Sequence, residues 1–101
     1  MQVPELCTYL ENSRPLLIDF REPWEFEICH LSGSVNIPMG EIAQHLKTIR
    51  EARECVMICH HGARSVQVIE HLRQQGIRHM INLEGGVDAW ARLVDKNMPL
   101  Y

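Results

Sequence analysis

The residues with most to offer chemically lie in one run, Val56-Met57-Ile58-Cys59-His60-His61-Gly62-Ala63-Arg64-Ser65. An apolar stretch ending in a cysteine passes straight into a polar loop. The apolar residues beyond it, Val66, Val68, Ile69 and Leu72 ahead of Gly76, predict a helix over 63–75. Strand, loop and helix in that order place Cys59 at the carboxyl edge of a sheet, where open parallel sheets bind ligands. The following helix then turns its unpaired backbone N–H groups and the positive end of its dipole toward the loop, which makes the loop an anion cradle. A thiol held there has its thiolate favoured by the dipole, by the Arg64 guanidinium and, to the extent they are protonated, by His60 and His61. Cys59 is therefore a candidate nucleophile, and Gly62 lets the backbone curl round an anion where a side chain would block the approach. The alternative, a cysteine that merely caps a buried strand, fits poorly with a loop as polar as His-His-Gly-Ala-Arg-Ser.

Elements must position that loop. Leu16 to Phe20, Cys55 to Cys59 and His79 to Leu83 are compact apolar runs bounded by polar or turn residues, and they read as strands covered on both faces, with a further short strand around Val35 to Ile37. Helical spacing recurs at Val3, Leu6, Cys7 and Leu10. It recurs again over Met39 to Ile49 through Ile42, Leu46 and Ile49, and in Val87, Trp90, Ala91 and Val94 after the Gly85-Gly86 turn. Strands alternating with helices give an α/β class with a parallel sheet. If the runs ending at Phe20 and at Cys59 are parallel neighbours, Asp19 and Arg21 share the sheet edge with Cys59. They then read as an ion pair supporting the loop. His30 reads as a structural hydrogen-bonding residue before a turn.

The 101-residue length suits one domain, and a formal net charge of −3 with scattered basic residues leaves no stripe for a nucleic acid. Nothing approaches the roughly 18 to 20 apolar residues of a membrane span, nor a signal peptide, so the cytoplasm is the expected location. The four cysteines, Cys7, Cys29, Cys55 and Cys59, read as free thiols. Zinc on Cys55, Cys59, His60 and His61 is a minor alternative without a completing ligand cluster, so no metal or cofactor is expected.

Cys59, Gly62, Arg64 and Ser65 match the C-x-x-G-x-R-S active loop of the rhodanese-like sulfurtransferases, and the rest of the chain resembles that family as well. Asp19, Arg21, Glu22, Pro23 and Glu25 look like its D-x-R-E-P-x-E. His30, Gly33, Asn36, Ile37 and Pro38 look like its H-x-x-G-x-x-N-I-P, and Leu83, Gly85, Gly86 and Trp90 like its L-x-G-G-x-x-x-W. The motifs occur in the family's order over nearly the whole chain. The resemblance implies one rhodanese-like domain over residues 1–101, a three-layer fold with a central parallel sheet of about five strands flanked by helices on both faces.

It also implies a reaction. The Cys59 thiolate attacks the outer sulfur of a donor such as thiosulfate, sulfite leaves, and a thiophilic acceptor, cyanide or a thiol, removes the sulfur in a ping-pong cycle. The substrate-binding loop is then His60, His61, Gly62, Ala63, Arg64 and Ser65, whose N–H groups from His61 to Ser65 hold the persulfide anion. Asp19, Arg21 and His30 support it. Arg64 either pairs with an acid such as Glu25 or draws in an anionic donor, and Ser65 either bonds the Cys59 sulfur or caps the helix.

Cys29 stands where the family usually has glycine, as packing or as a resolving thiol for the persulfide. His60 and His61 fill positions the family varies and are candidates to tune substrate choice. The expected partners are a small-molecule sulfur donor and a thiol or cyanide acceptor, with a protein persulfide as a further donor or acceptor class. A monomer or weak dimer is expected. Two rival functions remain. A phosphatase or arsenate reductase of similar fold needs C-x5-R to seat a tetrahedral oxyanion, whereas Cys59 and Arg64 form the shorter C-x4-R. A non-catalytic interaction module of the same family often lacks the cysteine.

Overall fold

In the computed structural model, which describes residues 1–100, the apolar runs form β1 (Leu16–Asp19), β2 (Val35–Asn36), β3 (Cys55–Ile58) and β4 (Met80–Asn82). They pair in the order β2-β1-β3-β4, all parallel. Along β3, Cys55 and Met57 enter one apolar cluster and Val56 and Ile58 the other, so both faces are covered and the strand needs no polar alternation.

One face is covered by α1 (Val3–Tyr9) and α5 (Gly86–Leu93). The other is covered by a 3-10 helix (Met39–His45), α3 (Leu46–Glu51) and α4 (Ala63–Gln74), while α2 (Pro23–Ile28) comes after β1. The three layers are those expected. Among the described residues no helix is long and apolar enough to cross a membrane.

Among the described residues four strands stand where about five were expected. On the free side of β4 the place of a fifth is taken by one residue: the Met1 ammonium donates to Asn82 O at 2.9 Å, and Met1 O accepts the Glu84 N–H at 2.8 Å. Those are the two bonds a parallel neighbour of Leu83 makes, but one residue does not amount to a strand.

The helix expected over Met39 to Ile49 is split, its first part wound as a 3-10 helix behind Pro38 with Gly40 in its first turn, where helix propensity is poor. Val66 does not face inward. It is 56 % exposed, because the buried stripe of α4 is Ser65, Val68, Ile69 and Leu72, and the residue after Ser65 lies about 100° off that line. Cys7 is exposed for the same reason, beside a stripe led by Val3 and Leu6. Trp90 is half-buried against the α1/α5 cluster.

The register of β1 against β3 sets Asp19 opposite Ile58, and the Phe20 N–H to Ile58 O bond of 3.0 Å extends the pairing one step further. The segments leaving the two strands therefore emerge at one edge. Beside β1, Asp19 and Arg21 form a fully buried ion pair. Arg21 Nη2 reaches Asp19 Oδ2 at 2.7 Å, and both its backbone N–H and its Nε reach Oδ1, at 3.0 and 2.9 Å. The same guanidinium donates to the carbonyls of Glu25 and Cys29, so one side chain is tied to the third residue of α2 and to its C-cap.

Beyond β4, Gly85 and Gly86 bring the start of α5 against the Cys59 loop. The Val87 N–H donates to Cys59 O at 2.8 Å and the Asp88 N–H to His60 O at 2.9 Å. A Cβ on Gly86, whose φ is +57°, would lie 2.1 Å from Cys59 O.

Gly86→Ala is therefore expected to lower the unfolding free energy by at least about 2 kcal/mol, the left-handed backbone penalty plus a displaced hydrogen bond. Gly33→Ala, at φ +83° with nothing within 4 Å, should cost only about 1 to 2 kcal/mol. Urea denaturation midpoints of the two variants check the difference. Asp19→Asn removes the carboxylate with which the fully buried Arg21 is paired and should cost roughly 3 to 5 kcal/mol in the same assay.

Candidate active site

Cys59 is the first residue after β3 and has no exposed surface. Its Sγ accepts the Gly62 backbone N–H at 2.9 Å. Gly62 is the N-cap of the twelve-residue α4, at φ +99°, so the sulfur sits at the N-terminal end of that helix, where backbone N–H groups have no intrahelical partner. Ala63 and His61 are the exposed residues of the loop, and His60 is half-buried.

Arg64 leaves the loop for α2. Its Nη1 and Nη2 bond Glu25 Oε1 and Oε2 at 3.2 and 3.1 Å, and Glu25 is buried at 5 % exposure. Glu25 Oε1 also accepts the Glu22 N–H at 2.9 Å, so the carboxylate that closes the first turn of α2 is the one that holds the first turn of α4. Of the two tasks considered for Arg64, the geometry contains the pairing with Glu25.

Ser65 takes neither role expected of it. The N-cap is Gly62 and Ser65 lies three residues on, in the first turn of α4. Its side chain is fully buried, and among the described residues its Oγ has no hydrogen-bond partner, the Cys59 sulfur included.

His61 Nδ1 lies 3.8 Å from Asp88 Oδ2, and the His60 and His61 ring centroids are 4.0 Å apart. Burial, and secondarily the neighbouring His61, hold the His60 imidazole below its ordinary range, with Asp88 and Glu25 pulling the other way. The Asp88 carboxyl is held below its ordinary range, chiefly by the hydrogen bond from Arg92.

Asp19 and Arg21 meet as a pair and reach the site through α2. His30 does not join the loop: its Nδ1 is 2.8 Å from Phe26 O and its ring stacks on Phe26 at 3.8 Å. Cys29 is buried with Leu31, Val56 and Ile58 in the α1/α5 layer, and no disulfide joins it to another cysteine. Burial pushes the Cys55 thiol up to about 12, at the far end of β3 from Cys59. Among the described residues, no three His, Cys, Asp or Glu side chains gather as metal ligands.

Three contributors escape a reading of the sequence. Asp88 holds the loop by its backbone and faces His61 by its side chain. Its Asp-to-Arg spacing of four to Arg92, a helix-surface pair, is the available signal. Gly86 reads in sequence as a turn residue only, and its close approach to Cys59 is a tertiary fact. Asn36 Nδ2 donates to Asp19 O and Arg21 O at 3.0 and 2.9 Å, fastening the end of β2 to the turn after β1. In sequence it is no more than a motif position.

A family model described as a rhodanese-like domain matches residues 3–93. An adenylyltransferase and sulfurtransferase MOCS3 from Drosophila ananassae is 33 % identical over 109 residues, covering 100 % of this chain and 24 % of that protein. A probable adenylyltransferase/sulfurtransferase MoeZ from Mycobacterium tuberculosis is 33 % identical, covering 96 % of the chain and 26 % of its own length. The chain thus spans about a quarter of the length of these curated relatives.

Among solved structures, a rhodanese-like domain protein from Staphylococcus aureus superposes with a TM-score of 0.80 at 31 % identity, covering 89 % of this chain and 88 % of that one. SSP1007 from Staphylococcus saprophyticus gives 0.82 at 29 % identity, covering 93 % and 94 %. With its parallel sheet, three layers and cysteine loop between β3 and α4, the chain belongs to the rhodanese-like domain family.

Proposed function

We propose that this protein is a sulfurtransferase in which Cys59 carries sulfane sulfur as a persulfide from a donor such as thiosulfate to a thiophilic acceptor. The observation that carries the reading is the Cys59 sulfur, buried where a strand ends and already accepting the Gly62 N–H at the start of α4. Attack by one sulfur on another uses the thiolate. With thiosulfate, Cys59 Sγ⁻ bonds to the outer sulfur, the bond from that sulfur to the sulfonate sulfur breaks, and sulfite leaves with the electron pair. The product is a Cys59 persulfide anion, and the negative charge is conserved on both sides. A thiolate or cyanide then attacks the outer sulfur and returns Cys59 to its thiolate.

The first-turn N–H groups of α4 are suited to holding negative charge on sulfur, since they need no reorganisation as charge moves from one sulfur to the next. Arg64 is tied to Glu25 and so serves this reading as the anchor of the loop. That engagement, with the C-x4-R spacing, tells against an oxyanion-binding phosphatase loop. Donor and acceptor include small molecules and protein persulfides alike. The relatives named as sulfurtransferases support the class of chemistry, and work in the cytoplasm fits four free cysteines.

Intact mass after thiosulfate treatment without reductant tests the reading. The expected result is a gain of one sulfur, about 32 Da, that reduction removes and Cys59→Ser lacks, as covalent catalysis at this thiol requires. No gain with thiosulfate or with glutathione persulfide would sink it.

The loop also carries a stability signature. Because His60 is held below its ordinary range when folded, the unfolded chain binds the proton first as pH falls. The contribution is intact above about pH 6.5, the unfolded value, and is lost as pH drops through and below it. His60→Gln should flatten the pH dependence of the urea midpoint across that window.

A further inference from the structure

The active loop contains one polar group that the free enzyme leaves unused. Ser65 is fully buried, yet among the described residues its hydroxyl bonds to nothing. Buried hydroxyls without a partner are uncommon in folded proteins and costly, so each one asks for an explanation.

Its position supplies one. Ser65 is the third residue of α4, counted from Ala63 after the Gly62 N-cap. Cα–Cβ bonds in a helix tilt toward the N-terminus, so a side chain at the third position hangs back over the cap. Here the cap is the residue whose N–H bonds the Cys59 sulfur. The neighbouring side chain, Arg64, is directed away to Glu25, which leaves Ser65 as the side-chain donor of the first turn of α4 not committed elsewhere.

Resting on the sulfur-transfer reading above, we propose that the Ser65 hydroxyl is the side-chain donor for the outer sulfur of the Cys59 persulfide, a hydrogen bond formed only in the sulfur-loaded enzyme. Ser65 Oγ does not bond Sγ of the free cysteine. A persulfide places a second sulfur one S–S bond, about 2 Å, beyond Sγ, and this atom carries the negative charge. A hydroxyl donor to an ionised acceptor makes the stronger kind of hydrogen bond. Loading therefore satisfies a group that the unloaded protein buries at a cost. The loop is built for its intermediate rather than for its resting thiol, and the persulfide is protected from stray acceptors by being bound.

The test compares wild type with Ser65→Ala, each unloaded and each loaded with thiosulfate or, where that does not load, glutathione persulfide, with occupancy read by intact mass. Unloaded Ser65→Ala should melt at or above the wild-type temperature, because it loses only an unpaired hydroxyl. On loading, wild type should gain at least about 4 °C more than the variant, the scale of one hydrogen bond in a domain of this size. The loaded variant should lose its sulfur to a fixed concentration of a small thiol roughly tenfold faster, and Ser65→Thr, which keeps a hydroxyl, should restore the difference in melting shift.

A residue that merely packs would shift both melting temperatures equally. If both proteins gain the sulfur and show the same melting shift, the Ser65 assignment falls while the sulfurtransferase reading stands. If wild type gains no sulfur from either donor, both fall.

Discussion

The site depends first on the register of two parallel strands. With Asp19 opposite Ile58, the segments that leave β1 and β3 emerge side by side at the same sheet edge, and every contact that shapes the loop stems from that adjacency. Arg21 turns back to Asp19 and secures α2. The start of α2 then presents Glu25 to Arg64 across 39 residues of sequence. A shift of one residue in this pairing would turn the side chains of β3 to opposite faces, moving Met57 and Ile58 out of their own clusters and carrying Cys59 away from the start of α4.

Around the loop, charge and backbone divide the work. Arg21 is paired with Asp19, Arg64 with Glu25 and Arg92 with Asp88. The first two arginines hold backbone and helix starts in place. In the proposed sulfur transfer, negative charge on sulfur is left to N–H groups, which are neutral, fixed in direction and already oriented when the helix folds. The loop is gripped from the other side as well, where the first turn of α5 donates to the carbonyls of Cys59 and His60. Two helix N-termini thus meet one short segment: the Gly62 cap of α4 gives its N–H to the sulfur, and α5 uses its N–H groups to fix the backbone that carries it. This asks for the near contact at Gly86, where a side-chain carbon would collide with the Cys59 carbonyl.

Much of this was legible in the chain itself. All four strands lie within a residue or two of where the sequence places them. β2 and β4 leave Val35 and Ile81 exposed, so the expectation that His79 to Leu83 is covered on both faces does not hold. β3 is legible because a strand covered on both faces must be apolar throughout. The strand-loop-helix order singled out Cys59 because a polar loop behind such a strand can only lie at the sheet edge. Helix faces are less legible. Val66 and Cys7 read as inward-facing because hydrophobicity alone does not say which residues of a wide apolar stripe touch the sheet. The fifth strand came from the resemblance, and here its place beside β4 is held by Met1 through two hydrogen bonds.

The sequence by itself therefore determined the local grammar: which segments are strands, where the helices other than α2 lie, and that a cysteine, a glycine and an arginine share one loop. These come from periodicity and turn chemistry, which act over a few residues. Tertiary structure decided which groups are engaged and which are available. That Arg64 is tied to Glu25, that Gly86 touches Cys59, that Asp88 faces His61 and that the Ser65 hydroxyl is buried without a partner all depend on residues distant in sequence or on the packing around them. Hydrogen bonds and ion pairs act over about 3 to 4 Å, and only the folded chain sets distances at that scale.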